Sequence, residues 1–298
     1  MLSSRRQYES MVRHHSHVIP AQAGIQEPNG WTPAPDQVEG RLFAGVTYPE
    51  YSMPHNTHFI RGFRERARGE EFLDRPDSDP RLTQESFRFI KFVNHVGGGI
   101  RVVRKFLERE LPSFPAGQTI RILDLGGGDC DIPLAVTRWA TEQGYNVEFT
   151  CTDHNPQVLD MARQSLARAH CKAIRLELTD IFTYQPPEEF DYALGSMVFH
   201  HFTAEEIDRL IMHLRGFVRH ALLINDLHRC TLNYLVAAML TVRVDPELRH
   251  DALLSIRRGF KPVELAGILS KHDPAPVVRR AWFCRVAGVV RFDRKEGR

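Results

Sequence analysis

The chain has 298 residues, 42% of them hydrophobic and 26% charged, an ordinary composition for a globular protein long enough to bury one large core or two small ones. A formal charge of +2, with no basic stripe interleaved with aromatics, gives no support to a nucleic-acid partner. Five cysteines stand singly at 130, 151, 171, 230 and 284, so neither a cysteine metal site nor a disulfide framework is expected, and the reading is a cytoplasmic protein. The longest apolar run, "LNYLVAAMLTVRV" at 232–244, is shorter than the roughly 18 residues of a membrane span and contains an arginine; stable membrane insertion is not expected. The N-terminus shows no uninterrupted apolar segment of a signal peptide.

In chain order, residues 1–52 differ from the rest, with clustered His, Pro, Gly and Gln and no apolar period. The phrases "VIPAQAGIQ", "GWTPAP" and "FAGVTY" resemble the translation of a dispersed bacterial intergenic repeat. The expectation is a disordered tail or a non-native extension, with translation beginning at Met53. Residues 53–115 read as a helical lead-in. Asp79-Pro80 supplies a cap and first position, and Leu82, Phe89, Ile90, Val93 and Val96 follow at helical spacing. Gly97-Gly98-Gly99 breaks that helix, and Ile100, Val103, Phe106, Leu107 and Leu111 form a second stripe. Packing is the first expectation for this pair, and a lid over a bound cofactor the second.

Residues 116–298 alternate regularly. Strands are expected at 120–125, 147–152, 174–179, 191–196 and 221–226, and two more near 276–281 and 283–291. Helices are expected from Asp131-Pro133, from the Asn155-Pro156 cap, and from a capping box between Thr203 and Glu206. A mostly helical insertion fills 231–270; its segment from Leu232 to Val244 is apolar nearly all round, which predicts a helix that is buried or lines an apolar pocket. Alternation of this kind means a doubly wound α/β fold whose ligands bind at the carboxyl ends of the strands.

The first strand ends in "RILDLGGGDCDIP", a glycine cluster leading into a helix. A dinucleotide loop would need G-x-G-x-x-G, but the chain runs from Gly126 and Gly128 to Asp131, and an aspartate there would face a pyrophosphate. A nicotinamide-dependent oxidoreductase is therefore the weaker alternative.

The run instead resembles the first motif of class I S-adenosylmethionine-dependent methyltransferases, matched by Asp124, Gly126, Gly127 and Gly128, with Cys130 where a third glycine is usual. "VEFTCTDHN" ends at Asp153 and His154, "LTDIF" contains Asp180 and Ile181, and "FDYALGSMVFHHF" contains Ser196 before a double histidine, all in the family's order. The stretch 227–265 looks like bacterial methyltransferases of polyketide- or quinone-like compounds. The resemblance implies a Rossmann-like seven-stranded sheet, mostly parallel with an antiparallel C-terminal strand. It also implies S-adenosyl-L-methionine as cofactor. Asp124 would serve the ammonium, Asp153 the ribose hydroxyls, Asp180 the adenine amino group and Ile181 the ring. A non-catalytic module binding the same cofactor is the alternative from another class.

The implied acceptor is a small apolar or aromatic molecule of secondary metabolism, methylated on oxygen or carbon. Histidine is the residue suited to take a proton near neutral pH, and His200, His201, His228 and His250 are the candidates, although a packed or capping role is the commoner fate of a single histidine. Arg257 or Arg258 could hold an acidic group of the acceptor. No metal site is expected. Oligomeric state is not legible in the sequence.

Overall fold

The computed structural model describes residues 63–75, 78–282 and 284–292. The expected extension at 1–52 and the start at Met53 lie outside the described residues.

Helix α1, Pro80–Val96, begins where Asp79 accepts a hydrogen bond from the Arg81 backbone N–H at 2.8 Å and Pro80 fixes the first turn. It stops at Gly97, and Gly98, at φ 82°, turns the chain into α2, Gly99–Glu110. Then come β1 (Thr119–Leu125), α3 (Asp131–Glu142), β2 (Asn146–Asp153), α4 (Pro156–Arg168), β3 (Ile174–Leu178) and β4 (Phe190–Ser196). A short 3-10 turn at Phe199–His201 leads to α5 (Ala204–Leu214) and β5 (Val218–Leu227). The capping box forms as expected, Thr203 and Glu206 each accepting the other's backbone N–H.

The strands form one seven-stranded sheet in the order β3-β2-β1-β4-β5-β7-β6, where β6 is Val277–Ala281 and β7 is Arg285–Arg291. Strand β7 runs antiparallel to both neighbours; the other pairs are parallel. This is the expected Rossmann-like sheet. Alternate residues feed two cores. Ile120, Ile122 and Phe149 pack with Val102, Phe106, Trp139 and Leu166 from α2, α3 and α4. Leu123, Leu125, Leu222 and Ile224 pack with Ile207, Leu210, Leu265 and Leu269 from the other side. The near-continuous apolar runs of β1 and β5 follow from burial on both faces.

The insertion is three helices: α6 (Thr231–Leu240), α7 (Pro246–Arg258) and α8 (Pro262–Leu269). The last of these covers β6 and β7 and belongs to the main core, so only α6 and α7 stand over the strand ends. Of the two expectations for α6, it meets the pocket-lining one along one face and departs from the buried one. Leu232, Leu235 and Met239 are 59%, 54% and 68% exposed, whereas Asn233 and Ala237 are buried and Val236 lines a cavity. The helix has cavity on one side and solvent on the other, so its all-round apolar pattern did not report full burial.

Candidate active site

Strand order reverses between β1 and β4, and a cavity of about 1090 Å³ opens at the carboxyl ends of these strands. All nine residues expected to hold the cofactor line it: Asp124, Gly126, Gly127, Gly128, Asp153, His154, Asp180, Ile181 and Ser196. The loop after β1 is pinned to β2 by the Gly127 N–H donating to the Thr152 carbonyl at 2.9 Å. Gly126 and Gly128 take φ 61° and 56°. A Cβ at Gly126 would sit 2.9 Å from Val198 Cγ2, and one at Gly128 would sit 2.9 Å from Phe87 Cε1. Both positions therefore demand glycine, for conformation and for space. Cys130, at φ 62°, occupies the same left-handed region with its side chain fully buried.

Three carboxylates converge below this loop. Asp124 is buried, and burial first, then Asp131 and Asp153, push its carboxyl well above the usual carboxylate range. Burial likewise raises Asp131 and Asp153. Asp131 is held by the Asn94 amide, which donates to both its oxygens at 3.1 Å, and Arg285 donates to the Asn94 carbonyl at 2.6 Å. Asp153 accepts from the Asn155 backbone N–H at 2.9 Å, and Asp180 from that of Phe182 at 2.9 Å. The His154 side chain is mostly solvent-facing, and the Ser196 hydroxyl accepts from the Asn225 amide at 3.1 Å. Asn94, on α1, was not singled out in the sequence; nothing in a lone helical asparagine announces it.

The same cavity continues between α1, α6 and α7, with Phe87, Ile90, Val93, Val236, Leu240 and Ile256 on its walls. At its polar end lie His200 and His201. His200 is buried; its Nδ1 is 2.8 Å from Asp226 Oδ1, and its backbone N–H donates to Asp226 Oδ2 at 3.0 Å. Its Nε2 is 3.6 Å from Glu71 Oε1, within ion-pair reach but too far for a hydrogen bond, and it has no hydrogen-bond partner. Burial opposes a charge on this ring, but Asp226 and Glu71 override it and raise the pKa to about 9, so the imidazole is cationic at neutral pH. Burial would raise both carboxyls too, yet His200 keeps Asp226 and Glu71 below their ordinary values. His201 Nδ1 is 2.8 Å from Asp74 Oδ2. Glu71, Asp74 and Asp226 were not named as candidates, because only the fold brings them to these rings.

His228 and His250 do not line the cavity. His228 is held by its backbone against Cys284 and Phe260, and burial first, then Arg280 and Arg229, lower its pKa. His250 lies edge-on to Phe72, with Nδ1 3.2 Å from Asp251 Oδ1. Asp251 spends its oxygens on the Phe72 and Leu73 backbone N–H groups at 2.9 and 3.0 Å. Arg258 is buried, with Nη1 3.3 Å from Glu71 Oε1, and Arg257 is exposed, so neither waits for an acidic acceptor group as expected.

Residues 122–221 match the family described as a methyltransferase domain. Comparison with curated protein sequences gives no match. Among solved structures, the plantazolicin methyltransferase BpumL in complex with SAH superposes with a TM-score of 0.57 at 12% identity, covering 74% of this chain and 92% of that one. The plantazolicin methyltransferase BamL, in complex with a triazolic desmethylPZN analog and SAH, gives 0.56 at 14% identity, with 74% and 94% covered. The S-adenosylmethionine-dependent methyltransferase SibL in its apo form gives 0.50 at 20% identity, with 78% and 64% covered. At these identities the likeness establishes the fold. By the family match residues 122–221 are a methyltransferase domain, carried on the sheet that these methyltransferase structures share.

Proposed function

We propose that the cavity binds S-adenosylmethionine along the glycine loop and presents its methyl group to a small apolar or aromatic acceptor held between α1, α6 and α7. The observation that carries this reading is the group of three carboxylates, Asp124, Asp131 and Asp153, whose pKa values are raised and which share one end of the cavity. Burying like charges together is costly unless a cation joins them. The cofactor carries an ammonium and a sulfonium, and brings no pyrophosphate to be repelled. Asp124 would meet the ammonium, Asp153 the ribose hydroxyls, and Asp180 with Ile181 the adenine. Gly126 and Gly128 would leave the backbone open to the methionine moiety.

The bound cofactor supplies an activated methyl group; the chain supplies alignment and a dry cavity. The apolar walls exclude water from the path between the two ligands. His200 and His201 would meet the reacting oxygen or carbon end of the acceptor, whose class is phenol-, quinone- or polyketide-like. His200, charged at neutral pH, would stabilise negative charge there rather than accept a proton. His228 and His250 would take no part.

Calorimetric titration of the full chain with S-adenosylmethionine, NAD and NADP tests the reading. Binding of S-adenosylmethionine alone is expected. The Asp153→Ala variant should lose about 1.5–3 kcal/mol, the range for a hydrogen bond to a charged group, or roughly 10- to 150-fold in affinity. Preference for a nicotinamide, or an unchanged affinity in the variant, would overturn it. Methylation assays on phenolic and quinone-like acceptors then examine the acceptor class.

A further inference from the structure

The acceptor end of the cavity holds a set of donors that alignment of two organic ligands does not require. One ring nitrogen each of His200 and His201 and a carboxylate oxygen of Glu71 all lie within 4.8 Å of one another. His200 and Glu71 are buried, and His201 is half-buried on the cavity wall. His200 Nε2 is buried with no hydrogen-bond partner, although it belongs to a side chain only 1% exposed. An orphaned polar atom at such a position calls for an explanation. Each imidazole also has its Nδ1 held by a carboxylate, His200 by Asp226 and His201 by Asp74, both at 2.8 Å, which leaves Nε2 of each ring for an ion. That is the outer-shell arrangement which orients a metal-binding histidine and sets its tautomer.

We propose that Glu71, His200 and His201 bind one divalent transition-metal ion at the acceptor end of the cavity. Two imidazoles and a carboxylate suit zinc, cobalt, nickel or ferrous iron, and suit magnesium or calcium poorly; the ion displaces the proton that the His200 ring carries in the metal-free protein, and that proton goes to solvent. Bonds of about 2.1 Å place such ligand atoms roughly 3–4 Å apart, so a small side-chain contraction closes the set. Three protein ligands leave positions open toward the cavity. Arg258, 3.3 Å from Glu71 and 3.8 Å from Asp74, is the local competitor for these carboxylates, and the ion would share Glu71 with it. An ion here would hold an acceptor oxygen and lower its pKa as a Lewis acid. That consequence rests on the proposed acceptor side; binding of the ion does not.

The test is titration of the chelator-treated full chain with Co²⁺, followed by its visible absorption, and with Zn²⁺ by calorimetry, both without cofactor or acceptor. One equivalent with a histidine-and-carboxylate cobalt spectrum is expected. Glu71→Gln and His201→Gln should each abolish the band or weaken binding at least tenfold, and Asp74→Asn should weaken it about 10- to 100-fold through the outer shell. Thermal melts of the metal-free variants identify any that fail to fold, and Asp74→Asn, at a partly exposed position, is the variant least exposed to that fate. The triple variant His14→Gln/His15→Gln/His17→Gln is the control for binding by the N-terminal histidines and should leave the spectrum intact. No stoichiometric binding, or binding lost with those three histidines and indifferent to Glu71 and His201, overturns the proposal. Neither result bears on S-adenosylmethionine affinity, which the separate titration measures.

Discussion

At Cys130 the backbone takes φ 62° and ψ 27°, a region that costs a non-glycine residue roughly 1–2 kcal/mol. The buried thiol packs in the core cluster that also contains Cys151, and that contact offsets part of the cost. Cys130→Gly would remove the strain and the packing together, so stability should move by less than about 1 kcal/mol. Affinity for S-adenosylmethionine should stay the same or improve slightly, as read by titration calorimetry. A tenfold loss would mean that the thiol itself shapes the loop. The glycine pattern was legible here because glycines before a helix have a narrow set of uses. The buried thiol was not, since nothing in the sequence places Cys151 beside it.

Among the elements, α2 is tied to the sheet by charge as well as by packing. Glu110 accepts hydrogen bonds from two nitrogens of Arg291 on β7, at 2.7 and 2.6 Å, and from the Tyr192 hydroxyl at 3.1 Å. Burial would raise the Glu110 pKa, but Arg291 overrides it and holds the carboxyl below its ordinary value. A carboxyl lowered by folding stabilises the fold fully above its unfolded value, near pH 4.3, and loses that contribution as pH falls through the folded value. Arg291 is half exposed, which limits the pair to about 1 kcal/mol. Glu110→Gln should therefore cost about that much at pH 7 in urea denaturation, and progressively less as pH falls from the unfolded value through the lower folded one. A penalty independent of pH would assign the loss to shape rather than charge. The helices α1 and α2 were legible from their apolar stripes. That α1 also walls the cofactor loop, through Phe87 and Asn94, was not, because those side chains act across the gap between separate elements.

On the scale of the whole molecule, the cavity joins the strand ends of the sheet to α1 and to the insertion, so a ligand filling it bridges elements from most of the described chain. Cofactor binding should stabilise all of them together. At a hundredfold excess over its dissociation constant, S-adenosylmethionine should contribute about 2.7 kcal/mol, a rise in Tm of roughly 5–10 °C for a domain of this size. Differential scanning fluorimetry of the full chain measures it. No shift at saturation would mean that the ligand binds the unfolded chain equally well, or does not bind.

The sequence alone determined the seven strands, their caps and turns, the glycine loop and the three aspartates at successive strand ends. Each of these depends on residues close together in the chain: a cap and its helix, a glycine and its turn, an apolar run and its strand. The tertiary structure decided what depends on distant residues. It placed His200 and His201 on the cavity while leaving His228 and His250 outside it, and it joined Glu71, Asp74 and Asp226 to the two rings. It exposed one face of α6, which an all-round apolar pattern cannot foretell, because periodicity reports how a helix is coloured and not what stands opposite it. Local chemistry is written in spacing along the chain; side-chain partnership across a core is set only when the sheet closes and its helices dock.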